Sequence, residues 1–236
     1  TVLNMIDLAG LPLLAADRTD GPFIFAGGPC TYHAEPLAPF MDFYALGDGE
    51  EELHDLIEIY KEWKKSGKER KEFLRALART QGFYVPSFYD IEYFEDGRIK
   101  RITPNDESAP PVALRRIVDD FENAFYPTKP VVPYIEAVHD GVMLEILRGC
   151  TRGCRFCQAG YVYRPVRERS VSKLCALAKE TVANTGYDEI SLTSLSSGDY
   201  SRLPELLKEM QESFKGTMVT CSLPSLRLDS FSVETV

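Results

Sequence analysis

The chain has 236 residues, 44% of them hydrophobic, which allows one large core or two small ones. Its formal net charge of −9 is the wrong sign for a surface that coats phosphate chains, so a nucleic-acid substrate is not indicated. No charged-then-apolar leader opens the chain and no apolar run approaches the ~18 residues of a membrane span, so the expectation is a protein of the reducing cytoplasm with no membrane partner.

Val2, Met5, Ile6 and Ala9 follow helical spacing up to Gly10. Pro22 to Ala26 reads as a short buried strand before the turn Gly27-Gly28-Pro29. Phe43 to Leu46 reads as a second, before Gly47-Asp48-Gly49. A helix from about Glu51 to Lys65 places Leu53, Leu56, Ile57 and Tyr60 on one face, and another over Lys68 to Arg79 buries Phe73, Leu74, Leu77 and Ala78. Strand, glycine turn and helix in succession is α/β grammar.

Residues 82–140 differ. Tyr89 to Phe94 and Arg98 to Ile102 flank Asp96-Gly97, a hairpin signal, and Pro104, Pro110, Pro111, Pro127, Pro130 and Pro133 interrupt the rest. Aromatic residues from Phe83 to Tyr134 predict that this connector packs on a neighbouring surface. Trp63 is expected at the seam between domains. From 141 the α/β pattern returns. Strands are predicted at Val142 to Leu147, Glu189 to Thr193 and Met218 to Leu223. Between them run a helix capped by Ser170 and ended by Gly186, and one carrying Leu203, Leu206, Leu207, Met210 and Phe214. These crossovers are long enough for parallel pairing. The predicted division is 1–80, an α/β domain; 81–140, the connector; and 141–236, a β-α-β-α-β unit. The chain opens on Thr1 inside a helical pattern, and after Asp229-Ser230 another helix is barely begun, so a piece of a longer protein is expected.

Three of the six cysteines, Cys150, Cys154 and Cys157, lie in one C-x3-C-x2-C run directly after a predicted strand. Three adjacent thiolates can hold three irons of a four-iron cube and leave the fourth open to a small molecule. The loop falls at the carboxyl end of the strand, where α/β folds bind ligands. Arg148, Arg152, Arg155, Arg164, Arg167 and Arg169 cluster nearby and offset the charge of thiolates and sulfides. Structural zinc needs four ligands, usually in two close pairs, and only Cys154 and Cys157 make such a pair. A non-catalytic zinc or iron–sulfur module, serving interaction or electron transfer, is the competing class. Cys30, Cys175 and Cys221 read as buried small hydrophobes, and His33, His54 and His139 receive no role.

The cysteine spacing, with Phe156 just before the last cysteine, resembles the cluster motif of the radical S-adenosylmethionine (SAM) superfamily. The resemblance implies a partial (β/α)6 barrel, of which the first half is present. It implies a [4Fe-4S] cluster on Cys150, Cys154 and Cys157, reductive cleavage of SAM to a 5′-deoxyadenosyl radical, and an electron donor such as a flavodoxin or ferredoxin. It places Phe156 beside the adenine of SAM and the loop Ser196-Ser197-Gly198-Asp199 at the methionine amino group, in place of the common Gly-Gly-Glu form. Asp199 can accept from an ammonium, or alternatively stabilise a helix N-terminus.

Phe25-Ala26-Gly27-Gly28-Pro29, Leu46-Gly47-Asp48-Gly49-Glu50-Glu51 and Gly82-Phe83-Tyr84-Val85-Pro86 are similar to a B12-binding-like radical SAM family distantly related to methylthiotransferases. That resemblance implies part of a Rossmann-like, cobalamin-binding-type domain and adds cobalamin as a candidate cofactor. The Asp-x-His-x-x-Gly pattern that ligates cobalamin does not occur at His33 or His54.

Overall fold

A computed structural model of the chain describes residues 1–135 and 137–227; the helix expected after Asp229-Ser230 lies outside them. The chain divides into two compact units with the boundary after Asp119. The stretch expected as a separate connector is split: residues 81–119 belong to the first unit and those from Asp120 to the second.

In the first unit, α1 (Val2–Leu8) precedes β1 (Phe25–Ala26), β2 (Phe43–Ala45), α2 (Gly49–Ser66), α3 (Arg70–Ala78) and β3 (Phe83–Tyr84). β1 pairs parallel to β2, with Phe25 opposite Phe43, and β3 pairs antiparallel to it, with Tyr44 opposite Tyr84. β1 is shorter and more exposed than expected, because Pro22 has no N–H and the Ile24 N–H is spent on the Asp42 carboxylate at 2.7 Å. Pro29, Pro36 and Pro39 hold the link between β1 and β2 in two 3-10 segments rather than an α-helix.

Phe43, Phe73 and Phe83 form the centre of this core, with ring centroids 6.0 Å apart from Phe43 to each of the others. Trp63 packs on Phe23 and Phe73 inside the unit, its indole N–H donating to the Lys68 and Glu69 carbonyls. The inward face of α2 is also not the expected one. Glu52 and Leu56 are buried, with Ile59 and Trp63 partly so, whereas Leu53, Ile57 and Tyr60 are exposed. The rotation follows from Glu52, whose carboxylate turns inward to accept the Leu46 N–H at 3.0 Å. Burial raises its pKa to about 7.

β4 (Tyr89–Tyr93) and β5 (Ile99–Pro104) form the expected antiparallel hairpin. Residues 114–118 then return beside β2: the Arg116 N–H donates to Leu46 O at 2.7 Å, and the Asp48 N–H to Arg116 O at 3.0 Å. Phe83, Tyr84, Phe88 and Tyr89 pack as predicted, but Phe125 and Tyr134 are exposed, at 79% and 105%.

The second unit is built on β6 (Val142–Glu145), β9 (Glu189–Thr193) and β10 (Thr220–Ser222), all parallel, in spatial order β10-β9-β6. β7 (Leu147–Arg148) and β8 (Arg167–Glu168) form an antiparallel pair, with the short α4 (Ala159–Val162) between them. The crossovers are α5 (Val171–Thr185) and α6 (Leu203–Ser213). Ser170 caps α5 by accepting the Lys173 N–H at 3.2 Å, and Gly186 ends it in the left-handed conformation. Leu144, Ile190, Leu192, Leu174, Ala178 and Leu206 are fully buried between sheet and helices. Cys175 joins this core as expected. Cys30, in a 3-10 turn, and Cys221, on the outer strand, are exposed instead.

Candidate functional site

Because β6, β9 and β10 are parallel, the segments that follow them emerge at one rim of the sheet. The first carries Cys150, Cys154 and Cys157, the second Ser194 to Asp199, and the third Ser225 and Arg227. The Ser197 N–H donates to Ser225 O at 3.3 Å, joining the second to the third.

The cysteine loop is closed at its neck by the β7–β8 pair and by the Cys150 N–H donating to Tyr163 O at 2.9 Å. Gly149 sits at φ +101°, where a Cβ would stand 2.7 Å from the Tyr163 and Pro165 carbonyls. Gly160 in α4 passes so close beneath Arg152 that a Cβ would meet its carbonyl oxygen at 2.1 Å. Further out, the Cys157 N–H donates to Cys154 O at 3.0 Å. All three thiols are free and partly exposed. Phe156 stands 93% exposed. The N–H groups of Thr151, Gly153, Arg155 and Phe156 form no hydrogen bond among the described residues. Also among the described residues, no three His, Cys, Asp or Glu side chains converge on a point where one metal ion could sit.

The six nearby arginines are mostly engaged elsewhere. Arg148 holds Glu145 through two bonds of 2.8 Å, and its guanidinium, like those of Arg167 and Arg169, lies against the buried Phe121 ring. Arg169, itself 1% exposed, donates to the Glu122 and Ala124 carbonyls at 3.1 and 3.2 Å. Arg164 bonds the Gly160 carbonyl and Arg167 that of Pro165. Arg155, at the surface between Cys154 and Phe156, is the one of the six without a partner among the described residues.

The loop after β9 is rigidly built. Ser197 is fully buried, and its hydroxyl is shared between Leu192 O at 3.1 Å and the Ser194 hydroxyl at 2.9 Å. Ser196, also buried, donates to Asp199 Oδ2 at 2.9 Å. The two serines therefore shape the loop, and Gly198 and Asp199 form its outer turn. Asp199 is not a helix N-cap, since that position before α6 belongs to Arg202. Its partner is Arg152, which donates Nε to Oδ2 at 2.9 Å and NH2 to Oδ1 at 2.6 Å. The Arg152 guanidinium, helped by the Ser196 hydroxyl, holds the Asp199 carboxyl below its usual pKa. The structure thus brings Asp199 to the cysteine loop, a link of 47 positions that no local pattern announces. Glu122, whose carboxylate takes the Ser170 N–H and hydroxyl beneath the rim, is a second contributor without a sequence signal.

Residues 1–86 match the family described as radical SAM proteins, N-terminal, and residues 144–236 match the radical SAM superfamily. An uncharacterised protein of Methanocaldococcus jannaschii is 30% identical over 208 residues, which is 88% of this chain and 38% of that protein. The chain therefore spans well under half the length of that curated relative. With a radical SAM family matching in each of its two units, the chain belongs to the radical SAM superfamily.

Proposed function

We propose that the second unit is the first half of a partial (β/α)6 barrel that holds a [4Fe-4S] cluster on Cys150, Cys154 and Cys157 and SAM beside it. When bound, the pair supplies one-electron reductive cleavage of SAM and, through the radical released, hydrogen abstraction from a substrate. The observation that carries this reading is one loop with three free thiols at the carboxyl rim of a parallel sheet, facing the Asp199 loop across the Arg152 bond.

The chain's own residues bind and orient. Gly149 and Gly160 let the backbone close tightly, which keeps the thiols on one short loop. The unspent N–H groups of Thr151, Gly153, Arg155 and Phe156 are donors for sulfur, and Arg155 is a cation for the net negative charge. Phe156 presents an apolar face and backbone to an adenine. Gly198 offers close backbone approach, Asp199 receives an ammonium, and Ser196 and Ser197 hold both in place. A flavodoxin- or ferredoxin-type donor supplies the electron. Zinc fits less well, since a tetrahedral ion draws four ligands within about 2.3 Å of one point, and one C-x2-C pair provides two.

Cobalamin does not fit the first unit. Its parallel pairing is two residues long, the turns after β1 lead into proline-held 3-10 segments, and neither His33 nor His54 lies in the ligating pattern.

Anaerobic reconstitution with iron and sulfide tests the proposal. About four irons and four sulfides per chain are expected, with the visible absorption of a cluster, lost on replacing any of Cys150, Cys154 or Cys157 by Ala and retained on replacing Cys30. Stoichiometric zinc with no iron uptake overturns it.

A further inference from the structure

We infer that Arg152 is a positioning residue: its ion pair with Asp199 ties the cysteine loop to the loop after β9 and fixes the orientation of the thiols between Cys150 and Cys157. The inference deepens the proposed function and rests on its assignment of those thiols.

Arg152 lies between the first two cysteines, so its backbone sets where Cys154 begins. That backbone is pinned on one side by Gly160, which leaves no room for a Cβ above the Arg152 carbonyl oxygen. Its side chain is pinned on the other by both carboxylate oxygens of Asp199, at 2.9 and 2.6 Å. The planar guanidinium fork matches a carboxylate in two bonds at once, so the contact fixes direction as well as distance. Asp199 is a firm anchor. It is braced by Ser196, and the neighbouring Ser197 is buried and bonded to the end of β9. Among the described residues, the backbone of residues 153–157 makes one hydrogen bond, the Cys157-to-Cys154 turn. The pair therefore refers this outer half, with two of the three thiols, to the loop at the end of β9. The pair is about half exposed on the Arg152 side, so its energetic worth is modest and its effect is on geometry.

The test uses the whole chain and two readouts. The first is amide hydrogen exchange without iron at the Cys150 and Cys157 N–H groups, which are hydrogen-bonded within the loop. R152Q and D199N are each expected to speed it about fivefold, the upper range for a partly exposed pair. The double variant should be no faster than either single one, and the exchanged pair R152D/D199R should restore protection. The second is the electron paramagnetic resonance spectrum and reduction potential of reconstituted protein, which R152Q should shift and R152K should return toward wild type. Unchanged exchange in R152Q, or additive effects in the double variant, overturns the positioning role. If wild-type protein takes up no iron, the cluster assignment falls, while the exchange data still decide whether the tie exists.

Discussion

Arg18 meets Asp42 inside the first unit through two bonds, Nε and NH2 to the same carboxylate oxygen at 3.3 and 3.2 Å, with side-chain exposures of 0% and 3%. The guanidinium also donates to the Pro12, Leu13 and Phe40 carbonyls, and Asp42 also receives Arg70 and the Ile24 N–H. The two ends differ in what they leave behind. Removing Arg18 leaves Asp42 with a second cation, whereas neutralising Asp42 leaves a buried guanidinium with no anion. D42N is therefore expected to cost about 3 kcal/mol, and R18M clearly less. The single tryptophan, Trp63, sits in this unit, so denaturation followed by its fluorescence measures both. Equal costs, or a larger one for R18M, would contradict the asymmetry.

Glu52 gives the same unit a pH dependence of definite sign. Burial raises its folded pKa from 4.5 to about 7, so between those values the folded state keeps a proton that the unfolded chain has lost. Its contribution is fully present below the unfolded value and is lost as pH rises through about 7. Asp106, depressed by the Ser108 hydroxyl and Arg75, acts oppositely and in a lower window, losing its contribution as pH falls below 3.8. Denaturation midpoints should therefore decline from pH 5 to pH 8. E52Q keeps an acceptor for the Leu46 N–H, and should flatten that decline. A slope identical in the variant would show that Glu52 does not titrate there.

β10 is paired on one side by β9 and by no described strand on the other. Met218 to Leu223 contains no charged residue, so the edge is a template for another chain. Sedimentation should show concentration-dependent association. S222K, which sets a cation on β10 within reach of Glu189 on the neighbouring β9, should suppress it. Association insensitive to S222K places the contact elsewhere.

Much of the second unit was legible because its signals are local. Glu189–Thr193 forms as predicted, and the Ser170 cap and Gly186 stop bound α5. The hairpin at Asp96-Gly97 was equally readable. The inward face of α2 was not legible for a physical reason: a helical wheel ranks Leu53 and Ile57 above Glu52, but the Glu52 carboxylate turns in to share the Leu46 N–H with the Gly82 carbonyl, a contact that lies outside the helix. The site divides the same way. Cysteine spacing announces the loop, and Phe156 is exposed enough to serve a ligand. The Arg152 partner and the Phe121 platform depend on contacts far apart in sequence, which no window contains.

The contacts around the cysteines differ sharply in the length of chain they close, and this sets an order of assembly. The Cys150-to-Tyr163 and Cys157-to-Cys154 bonds join near neighbours and can form while the chain is still open. The Arg152 bond spans 47 positions and waits for β9 and α5. The loop is thus born as an autonomous turn and is locked last, so on unfolding it should be the first part of the second unit to come loose. Native-state hydrogen exchange in low denaturant would register that sequence, with residues 150–157 opening before β6 and β9.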